Sequence, residues 1–105
     1  MQMSDIASSK RALVARILEG DGEASATLRL SAFHNSGLDG PLRTLVDKVA
    51  HRANTVTDED FAAVRAAGLS DDQLYEIVVC AAVGQASRQY DTALATLDAA
   101  TMRQK

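Results

Sequence analysis

Ser70-Asp71-Asp72-Gln73-Leu74-Tyr75-Glu76-Ile77-Val78-Val79-Cys80-Ala81-Ala82-Val83-Gly84-Gln85-Ala86 opens the stretch that decides the fold. Ser70 and Gln73 have the spacing of a capping box, in which each side chain satisfies the other's backbone N–H. Asp71 and Asp72 follow in the first turn, where the helix dipole favours negative charge. The pattern predicts a helix from Asp71 to about Ala99, apolar nearly all the way round in its first half. In a chain of 105 residues such a helix must be the central one. At about 100° per residue, Leu74, Ile77, Val78 and Ala81 share one face, and Gln85 and Arg88 continue it. Val79, Val83, Ala86, Tyr90, Leu94 and Leu97 share nearly the opposite face. A helix apolar on two faces needs two layers of cover. Four short helices can cover one, so the second face is expected to meet another copy of the chain. Small residues at 81, 82, 84, 86 and 87 let neighbouring backbones come close.

Upstream, helical spacing recurs in shorter pieces. Leu13, Val14, Ile17 and Leu18 predict a helix over 10–19, stopped by Gly20, with 1–8 a loose start. Asp21-Gly22 is a turn signal, and Asp21 is placed to cap a helix from Glu23 to about His34. The stripe of that helix is Ala24, Leu28 and Ala32, with Leu30 and Phe33 beside it, and Asn35-Ser36-Gly37 ends it, the glycine being suited to a left-handed cap. Asp39-Gly40-Pro41 opens a third helix, where proline in the first turn is tolerated because its missing N–H would have had no partner. Leu42, Leu45, Val46, Val49 and Ala53 then form an apolar stripe, with Arg43, Asp47, Lys48 and Arg52 off it. Thr57-Asp58-Glu59-Asp60 starts a fourth helix to Ala67, with Phe61 and Val64 inward and Gly68 as its stop. Residues 100–105 are expected to be a loose tail. The sum is a single all-α domain, a compact bundle of about five helices around a long C-terminal core helix.

The totals bound the function. A single domain of this size buries about two-thirds of the surface of its unfolded chain. Aromatic residues are 4% and the only proline is Pro41, while alanine is abundant, which favours close-packed helices over sheet. A net charge of -3 argues against nucleic acid or an anionic membrane as partner. The chain has no apolar run of spanning length and no signal-peptide pattern, so a cytoplasmic location is expected. The single cysteine, Cys80, excludes an intrachain disulfide and fits a reducing compartment.

Val56-Thr57-Asp58-Glu59-Asp60-Phe61, then Ala66-Ala67-Gly68-Leu69-Ser70-Asp71-Asp72-Gln73-Leu74-Tyr75-Glu76-Ile77-Val78, resembles the carboxymuconolactone decarboxylase/AhpD-like superfamily. Arg88-Gln89-Tyr90-Asp91-Thr92-Ala93-Leu94 is similar to the end of the core helix in that family, so the likeness covers about residues 40–98. The resemblance implies an all-helical fold and oligomers from dimer to hexamer. In the family's peroxidase-type members it also implies a C-x-x-C pair with a nearby histidine. This chain has one cysteine, so that redox pair has no positions to occupy.

Candidate site residues follow from chemistry. Cys80 lies mid-helix with Glu76 one turn before it, and a carboxylate there raises a thiol pKa, so a packed small hydrophobe is weighed against a lone peroxidatic thiol or a disulfide across a symmetry axis. Gln85 and Arg88 turn the core stripe polar; they are read either as a buried network, Arg88 with Asp91 or another carboxylate, or as a pocket for an anionic ligand. His51 and Glu76 are candidates for acid–base work, and His34 sits at a helix end where the dipole favours its charged form. Neither histidine has a partner at metal-ligand spacing, and the Asp58-Glu59-Asp60 and Asp71-Asp72 groups are explained by helix starts, so neither a metal nor a cofactor is expected. Three functional readings result. The first is a non-redox AhpD-like oligomer that binds a small ligand or a partner protein. The second is a decarboxylase-type or peroxidase-related enzyme using Arg88, Gln85, Glu76 and His51. The third is a plain helical interaction module.

Overall fold

Five α-helices and one short 3₁₀ turn make up the computed structural model, which describes the backbone of residues 3–103 and the side chains of 8–103. The helices are α1 (Met3–Glu19), α2 (Ala26–His34), α3 (Gly40–His51), α4 (Asp58–Ala66) and α5 (Asp71–Arg103), with the 3₁₀ turn at Ala53–Thr55. No strand occurs among the described residues. α5 has 33 residues, about 50 Å at 1.5 Å per residue, and so accounts for most of the 56 Å long axis.

Local chemistry sets the helix ends. Thr57 and Asp60 form a reciprocal capping box at α4, and Ser70 and Gln73 do the same at α5: the Gln73 N–H donates to Ser70 Oγ at 3.1 Å and the Ser70 N–H to Gln73 Oε1 at 2.8 Å. α4 stops at Gly68, whose φ of 111° suits glycine. α2 begins later than its apolar pattern predicts. Ser25 caps it by accepting the Leu28 N–H at 3.1 Å, and Asp21 stays in the loop. Asn35, rather than Gly37, is its left-handed C-cap at φ 51°. α1 begins at Met3 and α5 continues to Arg103, so within the described residues the expected loose ends at 1–8 and 100–105 are helical; residues 1, 2, 104 and 105 lie outside the description.

α5 is the hub, and α2 packs on it most extensively, followed by α3. Its buried line is Ile77, Cys80, Ala81, Gly84 and Ser87, joined by Leu74 near its start. The expected stripe held Leu74, Ile77 and Ala81 but not Cys80, Gly84 or Ser87. The reason is the path of α2, which crosses α5 so closely that a Cβ built on Gly84 would overlap the Phe33 carbonyl oxygen. The main core joins Ile77, Cys80 and Ala81 to Ala24, Ala32, Phe33, Leu38 and Val46. A second cluster joins Leu74 to Leu45 and Val64, with Phe61 and Val78 packed against it. Lys48, off the apolar stripe of α3, reaches α4 and pairs with Asp60 at 2.9 Å.

α1 is the lightest-packed helix, with none of its described side chains fully buried. It covers part of the α5 face assigned above to a second copy. Val79 stands beside Arg16 and Ile17, Val83 packs on the main core, and Lys10 sits 4.9 Å over the Tyr90 ring. Leu94 is half-buried, Ala86 is exposed and Leu97 is 59% exposed, so the open part of that face is its C-terminal half.

Candidate functional site

Three charged side chains reach into the bundle, and each meets a loop or helix end of matching polarity. Glu76 of α5 accepts the backbone N–H of Glu23 at 3.0 Å and of Ala24 at 2.7 Å, one on each carboxylate oxygen. Those amides lie just ahead of α2, where a helix start favours negative charge. Arg29 of α2, 7% exposed, donates to the carbonyls of Ile17 at 3.1 Å and Gly20 at 2.7 Å, at the end of α1. Arg88 of α5 donates to the Phe33 carbonyl at 2.6 Å, at the end of α2, and to Gln85 Oε1 at 2.9 Å. Cations are favoured at helix C-termini for the same electrostatic reason.

This arrangement separates the candidate residues. Glu76, set out above for acid–base work, has both oxygens holding the loop ahead of α2. Cys80 is 1% exposed, and burial pushes its thiol pKa up; Glu76 adds to the rise and Arg29 opposes it. Both line a small depression of about 160 Å³ with Arg16, Arg29 and Tyr75. Its walls carry two arginines and the acids Asp21 and Glu76, so no sign of charge dominates. Arg29 Nε is buried without a hydrogen-bond partner among the described residues.

Arg88 stands between two other depressions. One, about 440 Å³ and open, lies at the end of α3 and is lined by His51, Gln85, Arg88, Gln89, Thr92 and Ala93. The other, about 480 Å³, runs between α1, the end of α2 and α5. Val14, Leu18 and Phe33 line it together with Lys10, Arg11 and Arg88. His51, Gln85 and Arg88 are thus brought together and Glu76 is not. The Arg88–Asp91 pair weighed above does not form. Asp91 is taken by Lys10 at 2.7 Å, and Arg88 has no carboxylate within ion-pair distance among the described residues. Its remaining N–H donors are uncommitted. His51 stands 4.0 Å from Asp47 and is half exposed, and His34 packs edge-on against Phe33.

Comparison with protein-family models, curated proteins and solved structures finds no match. Among the described residues no three His, Cys, Asp or Glu side chains group as a metal site, and no helix is long and apolar enough to cross a membrane.

Arg29 was legible only in part. Arg29, Ala32 and Phe33 are spaced i, i+3 and i+4, which puts the arginine on the buried face of α2. The stripe read through Leu28 and Ala32 passes it by, because the crossing of α2 over α5 rotates the buried face by one residue.

Proposed function

We propose that this protein is a non-redox helical binding module of the AhpD-like type, acting as a homo-oligomer and holding a small anionic ligand beside Arg88. One observation carries the reading: Arg88 is held in place by Phe33 and Gln85, has no carboxylate partner among the described residues, and faces two depressions with donors to spare. A guanidinium fork fixed in that way suits a carboxylate, since its geometry is set before the ligand arrives. The likeness to the superfamily is supported by the order of elements, two capped helix starts at Thr57 and Ser70 leading into a long core helix. The homo-oligomer is supported by the open half of the second α5 face, where Ala86 is exposed and Leu97 is 59% exposed.

A second reading, an enzyme of the decarboxylase type, is favoured by the meeting of His51, Gln85 and Arg88 in one depression. It would use His51 as the proton-transfer group, without Glu76.

Thermal melting tests the binding reading. Sodium acetate and sodium phosphate are compared with sodium chloride at matched ionic strength, for wild type and Arg88→Gln. An anion that occupies the site raises the wild-type Tm by linkage and leaves the variant unmoved. Equal melting in all three salts overturns the proposal.

A further inference from the structure

Arg88 borders two depressions lined by different side chains. The α3 side offers imidazole, amide and hydroxyl groups from His51, Gln85, Gln89 and Thr92. The α1 side offers apolar wall from Val14, Ala15, Leu18 and Phe33. At about 480 Å³ the α1 groove lies within the size range of small-molecule sites, roughly 300–1,000 Å³. Lys10 and Arg11 stand at one end of the α1 wall, where Lys10 pairs with Asp91, one turn from Arg88 on α5; Glu19 stands at the other end. Lys10, Arg11 and Arg88 against Asp91 and Glu19 leave one net positive charge, which suits a monoanion better than a dianion. Ser87, 9% exposed, brings a hydroxyl to the same end. An apolar wall with a fixed cation at one end is complementary to a molecule with one anionic head and an alkyl tail.

We propose that the α1–α5 groove binds an unbranched monocarboxylate, its head on Arg88 and its alkyl tail along Val14, Leu18 and Phe33; the assignment rests on the reading of Arg88 as an anion site. The groove wall follows α1 from Arg11 to Leu18, about 10 Å at 1.5 Å per residue, which is the reach of a chain of roughly eight carbons. α1 has no fully buried described side chain, so a tail beneath it adds apolar contact where the bundle has least. Each methylene that finds wall tightens binding about two- to four-fold, and the gain stops where the wall stops.

Calorimetric titration of the full chain with acetate, butanoate, hexanoate, octanoate and decanoate, all below micellar concentrations, reads this directly. Affinity is expected to climb stepwise to about octanoate and then level. Ala15→Phe, which fills the groove from an exposed wall position, is expected to weaken octanoate at least ten-fold with an unchanged far-UV spectrum. Thr92→Phe, on the far side of Arg88, is expected to leave it unchanged. Arg88→Met removes the head contact, and if that variant fails to fold, the Ala15 and Thr92 pair decides alone. Arg88-dependent binding of acetate and octanoate with equal affinity overturns the amphipathic ligand and leaves the anion site standing. Carboxylate binding that Arg88→Met does not alter, or no carboxylate binding at all, overturns both.

Discussion

Gly84→Ala perturbs the crossing of α2 over α5, on which the position of Arg88 depends. The added Cβ would overlap the Phe33 carbonyl oxygen and lie 2.7 Å from its carbonyl carbon and 2.9 Å from its Cα. All three are backbone atoms, so no side-chain rotation relieves the clash; α2 must move. In an open helix the same change would stabilise by about 1 kcal/mol, the propensity difference between glycine and alanine. Overpacking a close contact costs about 1–3 kcal/mol, and here the displaced carbonyl also accepts the 2.6 Å bond from Arg88. Loss of a hydrogen bond to a charged donor adds about 1.5–3 kcal/mol if it is complete. The penalty exceeds the propensity gain, and a net loss on the order of 2 kcal/mol is expected, which lowers the Tm by about 10 °C. Urea and thermal unfolding followed by circular dichroism measure it. Ala82→Gly, exposed on the same helix, calibrates propensity alone with a loss of about 1 kcal/mol. A neutral or stabilised Gly84→Ala would refute the close crossing and, with it, the fixed position of Arg88.

Glu76→Gln leaves one oxygen for two backbone N–H groups and is expected to destabilise by about 1–2 kcal/mol in urea; unchanged stability would contradict its structural role. Asp60 titrates below the ordinary carboxylate range, first because Lys48 donates to it and then because the Thr57 N–H does. A depressed folded pKa contributes stability above the unfolded value of about 3.9, and that stability is lost as pH falls through the lowered folded value. Stability measured from pH 6 to 2 should therefore drop less steeply in Asp60→Asn than in wild type, and parallel curves would count against the pair. Cys80, buried with a raised pKa, is expected to react with iodoacetamide only as urea unfolds the chain; rapid stoichiometric labelling of native protein would contradict its placement. Sedimentation velocity at micromolar concentration should give a mass above the 11.2 kDa of one chain, and Leu97→Glu should lower it; a wild-type monomer refutes the homo-oligomer.

Features that depend on neighbours in the chain are the ones visible in the sequence. The boxes at Thr57–Asp60 and Ser70–Gln73 involve residues three apart, and the helices they start follow from them. The stripe of α3 likewise placed Leu45 and Val46 in the core. Competition between nearby caps is harder to judge. Asp21 and Ser25 both suit an N-cap, and Ser25 takes the role because its side chain meets the Leu28 N–H while the loop before it is held from a distance by Glu76. Partners far apart in sequence leave no periodic trace. Glu76 is 52 residues from Ala24 and Arg88 is 55 from Phe33, so neither role can be read from spacing. Gly84 is recognisable as a small residue among alanines, but the backbone it admits belongs to another helix. The place of Arg88 on a polar interruption of the core stripe was visible; the backbone carbonyl that fixes it was not.

The central claim, that Arg88 holds a carboxylate at the head of the α1–α5 groove, is tested most directly by amide chemical shifts. The uniformly ¹⁵N-labelled full chain is titrated with octanoate. Saturable shifts concentrated at Val14, Leu18, Phe33, Ser87 and Arg88 are predicted. Shifts confined to His51, Gln89 and Thr92, or none at saturating octanoate, would contradict it.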